Sequence, residues 1–152
     1  MNISIIPEPE LEFGNGVKHV DIRHGITHLK PFDIDDSRRP DKISVGIIGT
    51  PESIAGVKRW FQTVNQAVAA KSDSTNKRLF PSFPGYRKDT AFCSEIVLDD
   101  ASNESIHTNQ IVPCSQIKDY NKRIQALADL MYPAIKRASE KPIKVIVVAM
   151  PW

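Results

Sequence analysis

An α/β fold with a parallel, Rossmann-like sheet is what this sequence predicts, and three stretches predict it. Lys42 to Ile48 (KISVGII) is a β-rich apolar run that meets a Gly-Thr-Pro turn and then a helical pattern. Apolar residues from Ile117 to Ala138 recur at three and four positions, as on one face of a long helix. Ile143 to Met150 is a continuous run rich in Val and Ile, the pattern of a strand covered on both faces. Strands alternating with helices in this order favour parallel pairing.

The elements follow in order. Residues 1–41 form a β-rich lead: short apolar runs (Ile3 to Ile6, Leu11 to Phe13, His19 to Ile22) are broken by Pro7, Pro9, Gly14, Gly16, Gly25 and Pro31. Asn15-Gly16 predicts a hairpin turn. The lead is too short to bury a core alone and is expected to leave apolar surface uncovered by itself. Asp33 to Asp41 is polar and reads as a connector whose acids are solvated.

After Lys42 to Ile48, Thr50 is a good N-cap and Pro51 a favoured first helical residue. Ile54, Val57, Phe61, Val64 and Val68 then mark one face of a helix of about five turns. Residues 71–79 are a polar loop, and Phe80 to Tyr86 (FPSFPGY) is an aromatic-proline loop expected to pin itself by burying its rings. Phe92 to Leu98 reads as a second strand containing Cys93. Asp99 to Gln110 is open between a surface excursion and a short helix. The long helix from Ser115 contains Pro133, which is expected to kink it.

Composition narrows the function classes. The chain has 152 residues, 41% hydrophobic and 25% charged, with a net charge of +2, ordinary for a soluble domain. Such a balance does not by itself argue for nucleic acid. Basic doublets at Arg38-Arg39, Lys58-Arg59, Lys77-Arg78, Arg87-Lys88, Lys122-Arg123 and Lys136-Arg137 read as solvated surface. Cys93 and Cys114 without a CxxC pattern, and an N-terminus without a basic, apolar leader, fit a reducing cytoplasm. No run approaches 18 apolar residues, so no membrane span is expected.

Few residues nominate chemistry. The Gly49-Thr50 turn joins a strand to a helix N-terminus, where backbone N–H groups favour anions. Its spacing is neither GxGxxG nor a Walker A sequence, so a structural turn is the simpler reading and phosphate binding the alternative. His24 and His28 are four apart, but Gly25 and the strand-like context argue against a helix there, and no zinc pattern is completed. No GxSxG elbow, catalytic residue or metal site is identified. Tyr86 beside Arg87 and Lys88 offers stacking and phosphate contact, with a structural clamp as the plainer reading. Gly49 and Thr50 also leave open a stand-alone Rossmann-like nucleotide-binding domain or enzyme.

Taken as ordered pieces, the chain resembles the first part of a short prokaryotic Argonaute, the kind with only MID and PIWI domains. Glu8 to Gly14 is similar to the family's opening strand. Asp21-Ile22-Arg23-His24-Gly25-Ile26 resembles its "DPRxGL" turn, with Ile22 in place of proline. Lys30-Pro31-Phe32-Asp33 resembles "GPF", with Lys30 where glycine is usual. Ile43 to Ile54, closed by Gly56 and Trp60, looks like the first βα unit of a MID domain. Phe80 to Tyr86 is similar to "FPGF", and Val145 to Pro151 to the strand "vvvalP".

The resemblance implies a MID-like α/β domain beginning at residue 42, and a lead, 1–41, that packs on a PIWI region. It implies guide RNA and target DNA as partners in prokaryotic defence, with no slicer activity in the protein itself. Activity would lie in an APAZ-containing effector of TIR, sirtuin-like or nuclease type. No cofactor belongs to this segment; the whole protein has room for a divalent cation at the guide 5′ end. The family's phosphate ligands follow the "vvvalP" strand, so the chain reads as truncated at Trp152, with its anchoring pocket beyond it. Arg87, Lys88 and Thr50 are the candidate nucleic-acid contacts within it.

Overall fold

The computed structural model describes residues 5–73, 75–76 and 79–150, and the fold is mixed α/β with a parallel sheet. Ile3, the Lys77-Arg78 doublet and Pro151-Trp152 lie outside the described residues. The chain divides into two units, one of residues 1–41 with 64–95, the other of 42–63 with 96–152.

The second unit is organised by one strand. After the hairpin strands β1 (Leu11–Glu12) and β2 (Lys18–His19) of the first unit, the central strand β3 spans Lys42–Gly49. It is followed by α2 (Pro51–Val64), β4 (Glu95–Leu98), β5 (Glu104–Ser105), α3 (Thr108–Ser115), α4 (Tyr120–Ser139) and β6 (Val145–Ala149); the short helix α1 (Ile22–His24) belongs to the first unit. Alternate β3 residues offer their backbone to opposite edges. Val45 O accepts from Asp99 N at 3.1 Å and Gly49 O from Ile106 N at 2.9 Å, while Ser44 O accepts from Lys144 N at 2.9 Å. Thus β4 and β5 succeed each other along one edge of β3, and β6 fills the other, parallel from Val45↔Val145 to Gly49↔Ala149. The strand breaks between β4 and β5 at a 3₁₀ turn, Asp100–Ser102, and Asn103 Oδ1 there accepts from Ile47 N at 2.8 Å, standing in for the missing ladder bond.

Side chains alternate across β3, so each face builds a core layer. Ile48 joins Ile106, Ile111, Met131, Ala134 and Ala138, the last three from α4. Val45 and Ile47 join Ile54 and Phe61 of α2. Gly46 has no room for a side chain: a Cβ there would lie 2.9 Å from Ser102 O and 2.8 Å from Ile143 Cδ1. Glu104 ties β5 to the end of α4 through Arg137 at 2.9 Å and Lys141 at 2.8 Å, which hold its carboxyl below the usual range.

Several boundaries differ from expectation. The second helix ends at Val64, and Val68 instead forms a two-bond bridge with Phe83. Cys93 is not in a strand; it sits before β4 with φ +52. The long helix begins only at Tyr120, capped by Asp119, whose carboxylate accepts from Lys122 N at 2.9 Å; α3 accounts for the open stretch after Thr108. Pro133 lies inside α4, as expected, with Met131 and Ala134 buried on either side. β6 is not covered throughout: Val145 and Val148 remain exposed.

In the first unit, Asn15 and Gly16 take φ of +59 and +69 and turn the β1–β2 hairpin, conformations Asn and Gly tolerate. The largest departure follows. Residues 22–29 are helical, first as α1, then as a π turn over Gly25–Leu29. Asp21 caps this segment, accepting from Arg23 N at 2.9 Å and His24 N at 3.4 Å. Gly25 does not break it because glycine is what the packing needs: a Cβ there would stand 2.0 Å from Cζ of the buried Phe13 ring. Apolar residues remain uncovered in this region, including Ile5, Ile6, Ile22 and Phe32.

Lys30 ends the helical turn with φ +66 and ψ 172, a region nearly reserved for glycine. Lys30→Gly is therefore expected to raise stability by about 1 kcal/mol or more, the strain of a side chain in that region costing about 1–3 kcal/mol; chemical denaturation reads it. No gain would mean that the Lys30 conformation is not strained.

Candidate functional site

In an open α/β sheet the natural binding place is the crevice beyond the carboxyl ends of the strands, where the strand order reverses. A crevice of about 790 Å³ lies there, lined by Thr50 and Ser53 at the start of α2, Thr108 at the start of α3, and Ala149 and Met150 at the exit of β6. This is within the size range of small-molecule sites.

Its floor is a turn with few free donors. Pro51 has no N–H, Thr50 Oγ1 accepts from Ser53 N at 3.2 Å, and Ile54 N bonds Thr50 O at 2.9 Å. Of the first four helical residues this leaves only the N–H of Glu52, a residue that also lines the crevice. The Thr50 hydroxyl, 3% exposed as a residue, is engaged in the cap. Gly49 is small because strand and helix meet there: a Cβ would fall 2.7 Å from Ala149 O and 2.4 Å from Ser53 Oγ. Packing thus accounts for Gly49 and capping for Thr50, and the turn is a poor phosphate cradle. The cap itself contributes about 1 kcal/mol.

Arg87 and Lys88 lie in the first unit. Arg87 grips Asp89 in a bidentate pair at 3.0 and 3.2 Å, and Lys88 meets Asp41 at 2.5 Å. The Asp41 carboxylate raises the affinity of the Lys88 ammonium for its proton. All four side chains are exposed, so each pair is weak and open to exchange with an incoming phosphate. Arg87 and Lys88 are adjacent in one turn; Thr50 belongs to the other unit.

The aromatic loop is chiefly a clamp. Tyr86 stacks on Phe92 with centroids 4.4 Å apart, and Phe83 leans on the same ring at 5.7 Å. Burial pushes the Tyr86 phenol above its usual range. Gly85 takes φ +81 against the backbone of Asn65 and Gln66, where any Cβ would be crowded to 3.0 Å. Phe83 and Phe92 also line an apolar cavity of about 250 Å³ with Ile22, Ile26 and Pro84.

Sequence reasoning missed Arg39. Read as half of a solvated doublet, it is 10% exposed in its side chain and bonds Asp33 at 3.1 Å, Cys93 O at 2.6 Å, and Phe92 O. It clasps the Asp33 to Asp41 segment to the turn before β4. The neighbouring Arg38 is the solvated one, paired with Asp36 at 2.8 Å. No pattern in the sequence separates the two.

Among the described residues, no group of three or more His, Cys, Asp or Glu side chains is placed to hold a metal ion, and no helix is long and apolar enough to cross a membrane. No family model matches the chain, and no curated protein matches it.

Proposed function

We propose that this chain belongs to a guide-strand-holding protein of the short Argonaute type, non-catalytic in itself and acting through an associated effector in defence against invading DNA. The observation that carries this reading is the crevice at the ends of β3 and β6, concave and of ligand size, yet built over a turn with almost no donors for phosphate. A stand-alone nucleotide enzyme would need that turn as its cradle. A strand-holding protein draws its phosphate ligands from elsewhere.

Residues on which the resemblance rests have roles that suit it. Asp21 and Gly25, of the "DPRxGL"-like turn, cap the helical segment and admit the Phe13 ring. Lys30 stands where the family usually has glycine and adopts the conformation glycine favours. In this reading the partners are guide RNA, target DNA and an APAZ-type effector, and the surroundings are cytoplasmic.

Arg87 and Lys88 are the guide-backbone ligands in this proposal, released from Asp89 and Asp41 when phosphate arrives. Replacing both with alanine in the full protein is expected to lower the slope of log affinity against log salt by about one to two units, one for each phosphate no longer neutralised. An unchanged slope for single-stranded RNA would remove these residues from the interface.

A further inference from the structure

Three histidine rings form a ladder in the first unit. His19 of β2 stacks on His24 of α1 with centroids 4.4 Å apart and planes 25° apart, and His24 meets His28 at 4.5 Å and 45°. The ladder bridges the hairpin and the helical segment across the Val20-Asp21 corner. His24 and His28 share the helix face opposite Ile22 and Ile26, which line the apolar cavity.

The corner has two hydrogen-bonding choices. His19 Nδ1 accepts from Asp21 N at 2.9 Å, so the neutral ring carries its proton on Nε2. The Asp21 carbonyl oxygen lies 3.3 Å from the same nitrogen. A proton arriving at Nδ1 ends its role as acceptor and turns it toward that carbonyl, and the Asp21 N–H loses its partner.

We propose that His19, His24 and His28 act as a proton-operated latch between the β1–β2 hairpin and the helical segment, closed when the rings are neutral and opened when they are charged. Histidine is the side chain that changes charge near physiological pH. Neutral rings stack favourably, whereas charged rings at these separations repel, being closer than the screening distance of about 8 Å in physiological salt.

Charged groups of both signs surround the ladder. From the hairpin, Glu12 is paired in register with Lys18. From the helical segment, the Asp21 carboxylate is committed to the helix N–H groups and to Arg23, whose guanidinium also bonds Leu79 O. From the segment beyond it, Lys30 and Asp35 share a cavity with His28. Among the described residues, no carboxylate forms an ion pair with any of the three rings.

The test is amide exchange of the full chain, corrected for intrinsic rate, followed from about pH 7.5 to pH 5. Phe13 N, bonded to Val17 O, reports the hairpin, and Gly25 N, bonded to Asp21 O, reports the helical segment. Protection at both is expected to fall at least about fivefold with acid while protection at Ile47 in β3 is retained, and to be recovered in part by about 1 M salt. His24→Phe keeps a stacking ring but removes the middle charge, while His19 Nδ1 still loses its acceptor role in acid; its loss of protection is expected to be less than about half the wild-type factor across the same range. If His24→Phe fails to fold, His24→Gln serves in its place. Wild-type protection that stays flat, or a variant that loses protection as the wild type does, overturns the latch.

Discussion

Truncating Ile48 to alanine is expected to destabilise the protein by about 2–5 kcal/mol, lowering its melting temperature by several degrees. Ile48 is fully buried in the sheet layer that meets α4, against Ile106, Ile111, Met131 and Ala134. Its neighbours come from the exit of β5, from α3 and from α4, elements fixed by their own backbone bonds, so the void cannot readily collapse. The cost therefore combines lost transfer free energy with an unfilled cavity. Denaturant unfolding with an unchanged m-value checks it. A loss below about 1 kcal/mol would mean that the β3–α4 layer is not the tightly packed core described.

The second large effect is expected at Arg39. Arg39→Ala is expected to cost about 2–4 kcal/mol, because it leaves the Phe92 and Cys93 carbonyls and the Asp33 carboxylate without their shared donor. Most of the guanidinium is shielded from water, which keeps these bonds from being replaced cheaply. Arg39→Lys is expected to recover less than about half of the loss, since one ammonium cannot reach three acceptors held by a planar fork. Full recovery by lysine would show that only the charge matters there. Arg38→Ala, one residue away, is expected to change stability by less than about 0.5 kcal/mol, as its pair with Asp36 is open to solvent.

What the sequence made legible is what local chemistry decides. The run from Lys42 through Gly49-Thr50-Pro51 declared a strand, a turn and a capped helix because each signal is carried by adjacent residues. Asn15-Gly16 declared its hairpin for the same reason. The helical segment at 22–29 was not legible, although Asp21 is a good cap, because its glycine is justified only by the Phe13 ring reaching it from another element. Val68 looked like one more turn of α2 until Phe83 offered it a ladder partner. The role of Arg39 depends on carbonyls more than fifty positions away.

The candidate site divides in the same manner. The position of the crevice follows from strand order, and the sequence pointed to it through the Gly49-Thr50 turn. Pro51's missing N–H was in the sequence; that Thr50 also takes the N–H groups of Ser53 and Ile54 is visible only in the structure. That Arg87 and Lys88 already hold carboxylates was half legible for Arg87, whose partner Asp89 is two residues on, and not for Lys88, whose partner Asp41 is distant in the chain.

If this polypeptide helps to hold a nucleic-acid strand, as proposed, the protein isolated from its own cells is expected to carry short RNA of narrow length distribution, together with an effector protein bearing an APAZ region. Sequencing the copurified nucleic acid decides it: a bound mononucleotide in place of RNA, or a protein free of nucleic acid, rules the proposal out.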